Sequence, residues 1–132
     1  MSDSSPKKLL ILGMAGGLAR ITTGLLLKRF PELKIVGIDS RPMVREYPED
    51  RVNYLRIKYT RGNFEKVFRD HDFDSMLHLG RLSHAQSGST LNLAQRLDLN
   101  LMGTKRILDL CLKYKLKKVV VLSTFHVYGA LK

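Results

Sequence analysis

Cysteine is nearly absent from this sequence. Among 132 residues only Cys111 carries a thiol, so no intrachain disulfide framework can form and no thiolate-built zinc site is available. A lone thiol suits a reducing compartment. Flanked by Leu110 and Leu112, with nothing nearby in sequence to lower its pKa, Cys111 is expected to pack as a small hydrophobe. Long apolar runs are missing as well, and no stretch approaches the roughly 20 residues of a membrane-spanning helix. Lys7-Lys8 before Leu9–Ala19 imitates a secretory leader, but Gly13, Gly16 and Gly17 interrupt the apolar segment. The expected location is cytoplasmic, with no membrane partner. His71, His78, His84 and His126 show no ligand spacing, so no metal is implied. His78, inside an apolar segment, is expected to be a packed, hydrogen-bonded histidine.

Acids are also scarce. Twelve Asp and Glu face 23 Lys and Arg, for a net charge of +11. The basic excess is spread along the chain and not gathered into one arm. Its densest group, Lys113, Lys115, Lys117 and Lys118, falls where a long helix is expected to end, and cations there complement the helix dipole. A general, salt-sensitive attraction to polyanions follows, without specific nucleic-acid recognition. Neither an internal repeat nor a low-complexity segment is present. What remains is an ordinary globular composition, 44% hydrophobic and 27% charged, enough for one domain with a real core. That domain is expected to occupy residues 1–132, with residues 1–6 polar and disordered.

Apolar segments alternate with helical periodicities. Leu9–Leu12 is apolar without alternation, the pattern of a parallel strand buried on both faces. Leu18, Ile21, Leu25 and Leu26 recur at helical spacing, predicting a helix over 17–30 stopped by Pro31. Further strands are expected at Lys34–Asp39, Val52–Ile57, Asp74–Leu79 and Val119–Ser123. Phe64, Val67 and Phe68 mark the inner face of a short helix, and Ser89 or Thr90 caps a long one running to about Lys115. Strand and helix in alternation predict an α/β protein with a doubly wound parallel sheet of five strands, order 3-2-1-4-5.

One constellation carries chemistry. Gly13-Met-Ala-Gly16-Gly17-Leu-Ala19 follows the first strand directly, and Asp39 closes the second. Glycines let a backbone turn sharply and approach a pyrophosphate, and the helix that follows offers unpaired N–H groups to its charge. An acid at the end of the second strand can accept hydrogen bonds from ribose hydroxyls. Strand, glycines, helix, strand and acid in order point to a dinucleotide.

Four segments resemble the extended short-chain dehydrogenase/reductase family, the NAD-dependent epimerases and dehydratases of sugar nucleotides. Leu12–Ala19 is similar to the family's Gly-x-x-Gly-x-x-Gly turn, and Asp74–Arg81 to its fourth strand. Asn100-Leu-Met-Gly-Thr104 resembles its Asn-x-x-Gly-Thr helix motif, and Ser123–Gly129 its Ser-Ser-x-x-Val-Tyr-Gly turn. The resemblance implies a Rossmann-like domain truncated after strand five. It assigns cofactor binding to Gly13, Ala15, Gly16, Gly17, Leu18, Asp39, Ser40, Arg41, Leu79, Gly80, Arg81 and Asn100. It gives Thr124 the active-site hydroxyl that hydrogen-bonds the reacting oxygen of a sugar-nucleotide substrate. Local readings stay open beside these: Thr124 as a turn-satisfying hydroxyl, Asn100 as a cap on backbone groups, and Gly103 as a residue for close packing.

The sequence departs from the family pattern in three places. Ala19 replaces the third glycine, an accepted variant. Lys58 stands where the family has an aspartate facing the adenine, and Arg81 replaces a small residue on the cofactor path. Asp39 favours NAD over NADP by repelling a 2′-phosphate, and Arg41 is the counter-argument. The family's catalytic Tyr-x-x-x-Lys pair opens a helix after strand five. Here the spacing recurs only at Tyr54/Lys58, Tyr114/Lys118 and Tyr128/Lys132, none in that context. The expectation is an inactive binding portion of a longer oxidoreductase. Two alternatives stand at this point, a non-catalytic dinucleotide sensor and a polyanion-binding module. Self-association is also expected, through Leu97, Leu101, Leu108 and Leu112 or through the edge of strand five.

Overall fold

All five strands run parallel, in the order β3-β2-β1-β4-β5. The computed structural model describes residues 5–43, 46–80 and 103–122. Along the chain these are β1 (Lys8–Leu12), α1 (Gly17–Arg29), β2 (Lys34–Asp39), β3 (Val52–Arg56), α2 (Arg61–Asp70), β4 (Ser75–His78), α3 (Gly103–Lys113) and β5 (Lys118–Val121). The chain builds outward from β1 through β2 to β3, then returns to lay β4 on the other side of β1. A crevice therefore opens between the carboxyl ends of β1 and β4, the place where sheets of this topology bind ligands.

Side chains of β1 alternate between two cores. Leu10 and Leu12 join Val36, Ile38, Phe64, Val67, Phe68, Met76, Ile107 and Cys111 on one face of the sheet. Leu9 and Ile11 join Met14, Ala19, Leu33, Ile35 and Val52 on the other. Burial on both faces is why β1 reads as an unbroken apolar run. α2 inserts Phe64, Val67 and Phe68, as their spacing predicts, and Thr60 caps it by accepting from the Asn63 N–H at 3.2 Å. Cys111 is buried, its sulfur 3.7 Å from that of Met76, and burial pushes its pKa up to about 11.

α1 forms where expected, and of the four apolar residues whose spacing predicts it only Leu26 packs against the core. Leu18, Ile21 and Leu25 are 51%, 63% and 63% exposed. The residues turned fully inward are Ala19 and Thr23, with Leu26, Leu27 and Phe30 packed partly against the same core. Small side chains win here because they bring the helix axis close to the sheet, which large ones would hold away. β5 differs from β1 in the same sense. It is the outer strand, and Val120, Val121 and Leu122 are exposed. On α3, Leu108 and Leu112 are exposed, whereas Leu97 and Leu101 lie outside the described residues. The helix ends at Lys113, so of the four clustered lysines only this one lies in its last turn. Lys115 takes φ 56°, in the left-handed region, while the Leu116 N–H reaches back to the Cys111 carbonyl at 3.0 Å.

Among the described residues, the Thr23 hydroxyl is a buried oxygen without a hydrogen-bond partner. Thr23→Val keeps the shape and removes the unsatisfied group. It is expected to raise stability by about 1 kcal/mol, seen as a higher urea midpoint at unchanged slope.

Candidate functional site

The turn between β1 and α1 is shaped by two glycines with different duties. Gly13 has φ +82°, and a β-carbon placed there would stand 2.6 Å from the backbone nitrogen and Cα of Gly80. Only glycine fits, because the end of β1 closes directly on the end of β4. The Gly13 N–H donates to the Ile38 carbonyl at 2.9 Å, the Gly16 N–H to the Gly13 carbonyl at 3.1 Å, and the Leu79 N–H to the Leu12 carbonyl at 2.9 Å. Gly16 is the N-cap of α1 and supplies no side chain to cap it, and the first turn holds no acid. Gly17 faces open space and, with Leu18, is exposed. The first amides of α1 are thus uncovered, and the helix dipole adds a positive field at that point.

Met14 anchors this turn from below. It is fully buried, and its side chain crosses β2 so closely that a β-carbon on Gly37 would overlap its sulfur. Gly37 is therefore a positioning residue that the sequence motif did not identify. A glycine inside a buried strand was the available signal.

Asp39 points from the end of β2 into the turn. Its side chain is 4% exposed, and one carboxylate oxygen accepts from the Ala15 N–H at 3.0 Å. The Arg41 N–H reaches the other oxygen at 3.0 Å. The Arg41 guanidinium lies across both oxygens, Nε at 3.1 Å and Nη2 at 3.0 Å. Burial alone would raise the Asp39 pKa. It is outweighed by the hydrogen bonds from the Arg41 side chain, the Arg41 backbone and the Ala15 backbone, together with the Arg41 charge, so the carboxyl titrates below its ordinary value. The Arg41 carbonyl accepts from the Tyr54 hydroxyl, and the Ser40 carbonyl accepts from Arg56 Nε at 3.3 Å.

On the β4 side, the Gly80 N–H donates to His78 Nδ1 at 3.2 Å. His78 is hydrogen-bonded as expected but only partly buried instead of lying in the core, and burial lowers its pKa. Tyr59 is a residue that no spacing pointed to. Its hydroxyl donates to the Ile38 carbonyl at 3.4 Å and lies near Gly80, beneath the turn, and burial raises its pKa strongly. Lys58 is exposed beside it.

The structure therefore brings together Gly13, Ala15, Gly16, Gly17, Leu18, Asp39, Ser40, Arg41, Leu79 and Gly80 around one crevice. Arg81, Asn100 and Thr124 lie outside the described residues, as do Tyr128 and Lys132. Tyr54 with Lys58 and Tyr114 with Lys118 do not share a helix. Among the described residues no group of three or more His, Cys, Asp or Glu is placed to hold a metal, and no helix is long and apolar enough to cross a membrane.

Comparison with known proteins finds relatives that share this fold. The model of the NAD dependent epimerase/dehydratase family matches residues 9–132. A dTDP-D-glucose 4,6-dehydratase of Dictyostelium discoideum is 29% identical over 94% of this chain and 30% of its own length. A UDP-glucose 4-epimerase of Pisum sativum is 29% identical over 96% of this chain and 39% of its own. The enzyme WbmH of Bordetella bronchiseptica, solved in complex with NAD+, superposes with a TM-score of 0.77 at 19% identity, covering 96% of this chain and 42% of that one. The chain thus spans roughly a third of the dehydratase and two fifths of the epimerase.

Two outcomes follow from the turn. Gly13→Ala is expected to cost about 3 kcal/mol in thermal or urea unfolding, whereas Gly17→Ala, whose methyl meets open space, should be neutral or stabilising by up to about 1 kcal/mol. The second concerns acid. Because the folded Asp39 carboxyl is depressed, its contribution is complete above the unfolded value near ~4 and drains as pH falls further. Asp39→Asn should therefore be less stable at neutral pH and show a shallower acid limb in a pH series of unfolding midpoints.

Proposed function

Because the chain belongs to the NAD dependent epimerase/dehydratase family, we propose that residues 1–132 are the NAD-binding domain of a sugar-nucleotide epimerase, dehydratase or reductase. The observation that carries this reading is the buried Asp39 carboxylate hydrogen-bonded to the Ala15 amide at 3.0 Å. It ties the acid of β2 to the glycine turn at the crevice between β1 and β4.

The residues fit a dinucleotide. Gly17 leaves open space over the uncapped start of α1, and the amides of Gly17 and Leu18 would hold a pyrophosphate there. Ser40, Arg41 and Asp39 would hold the adenosine ribose, and Leu79, Gly80, Arg81 and Asn100 would line the path toward the reacting end. Thr124 would orient the sugar oxygen. Bound NAD supplies reversible hydride transfer with a sugar carbon. The protein's own share is to position both partners and to exclude water. A tyrosine and lysine paired on one helix do not occur among the described residues, so binding without turnover is what we ascribe to this stretch. We ascribe the activity to a longer protein of which this stretch is a part, a reading supported by its spanning 30% and 39% of these two relatives. Self-association follows from the exposed Leu108, Leu112, Val120, Val121 and Leu122.

Calorimetry of the chain with NAD tests the reading. Binding is expected, and Gly17→Asp should weaken it about tenfold or more by setting a carboxylate against the pyrophosphate. The same substitution should leave the unfolding temperature unchanged or raised, because an acid at a helix start is favourable. No heat of binding, or a variant that binds NAD normally, would overturn it.

A further inference from the structure

β3 is an outer strand, with β2 on one side and an unpaired edge on the other. The Ile35 N–H donates to the Arg51 carbonyl at 2.8 Å and the Ile57 N–H to the Asp39 carbonyl at 3.0 Å, so residues 51 and 57 turn these groups toward β2. Along a strand that direction alternates, which points the backbone groups of Val52, Tyr54 and Arg56 outward. The Val52 N–H is already taken by the Pro48 carbonyl at 2.9 Å. The Val52 carbonyl and both groups of Tyr54 and Arg56 are left at the edge. No proline interrupts Val52–Arg56, and its register with β2 is continuous. An edge of this kind pairs with another strand unless something prevents it.

Net charge opposes self-pairing, because two chains of +11 repel. A face of locally balanced charge meets its own copy at least cost. Residues 46–58 form such a face, with Glu46, Glu49 and Asp50 against Arg51, Arg56 and Lys58. The Arg51 guanidinium is spent on the carbonyls of Leu27, Phe30 and Leu33. The acids therefore precede the strand, and the remaining bases lie at its end and just beyond. Glu49, Asp50, Arg56 and Lys58 are exposed, and none of them joins an ion pair among the described residues. An edge acidic at one end and basic at the other complements itself when two copies run antiparallel. Parallel pairing would set like charge on like.

We infer that the β3 edge is a self-recognition surface, to which a second copy of this chain adds its own β3 antiparallel about a two-fold axis at Tyr54. In this register Tyr54 faces Tyr54 of the second copy, and each N–H donates to the other's carbonyl. Arg56 faces Val52, its N–H donating to the free Val52 carbonyl, while the Val52 N–H stays with Pro48. Asp50 faces Lys58 twice, once on each side of the axis. Beside the strand lies an open hollow of about 520 Å³ lined by Met43, Tyr47, Glu49, Val52, Asn53 and Tyr54. The Tyr54 ring of the second copy comes to its rim, making an aromatic pair across the two strands. β3 and β5 are opposite edges of the sheet, so this contact is separate from the exposed apolar residues of α3 and β5.

Analytical ultracentrifugation of the 132-residue chain tests this, with the wild type, Asp50→Lys and Lys58→Glu. The wild type is expected to show a concentration-dependent dimer. Each single reversal sets like charges together twice and should weaken that dimer about tenfold or more. An equimolar mixture of the two variants should associate again, because the reversed positions then meet with opposite charge. The double variant Asp50→Lys/Lys58→Glu should dimerise like the wild type. Association through α3 or β5 would not follow this pattern. Should Asp50→Lys fail to fold, the adjacent Glu49→Lys takes its place in the mixture. A wild type that is monomeric at every concentration, single reversals that associate as the wild type does, or a mixture no stronger than its parts overturns the inference. None of these outcomes bears on NAD binding, which calorimetry reads separately.

Discussion

Gly13 stands where two strand ends meet too closely for any side chain. Its φ of +82° and the 2.6 Å approach to Gly80 are one constraint seen from two sides. The chain must reverse out of β1 while β4 presses against the same backbone. Everything at the crevice depends on that contact. It sets where α1 starts and brings the Ala15 amide within reach of Asp39. With Gly37, which lets Met14 lie flat across β2, it holds the turn rigid without a single side-chain hydrogen bond from the glycines themselves.

Over this frame the electrostatics are paired and local. A net charge of +11 says little about the crevice, where one buried carboxylate and one half-exposed guanidinium set the field. Burial works against the carboxylate and four donors work for it, and the donors prevail. Taking away the arginine would leave a buried acid with two backbone partners. Taking away the acid would leave a cation at the uncapped start of a helix, where the dipole is unfavourable to it. Each keeps the other in place.

Much of the fold was legible in the sequence because its signals are local. An apolar run without alternation, a glycine turn and a closing aspartate are each read from neighbouring residues. The strand order follows from alternation and handedness. The inward face of α1 was not legible in the same way. Leu18, Ile21 and Leu25 form the more apolar stripe, yet Ala19 and Thr23 take the sheet side because closeness to β1 and β2 rewards small volume. That preference exists only once the sheet does. The pairing of Arg41 with Asp39 was legible as proximity in sequence, but not as a carboxylate with every site filled. Tyr59 left no trace, since a tyrosine after an outer strand has no spacing to mark it, and its position under the turn is created by the return of the chain to β4.

That return also fixes when the pocket comes into being. Residues 8–56 suffice to lay down β1, β2 and β3 as three adjoining ribbons. Neither wall of the crevice is complete until residues 75–78 dock along the free side of β1, across a separation that makes such pairing slow compared with local contacts. During synthesis, then, the apolar flank of β1 waits unpaired while nearly twenty further residues emerge after β3. The polypeptide is most vulnerable to wrong partners in that interval, before it owns anything with which to grasp a nucleotide.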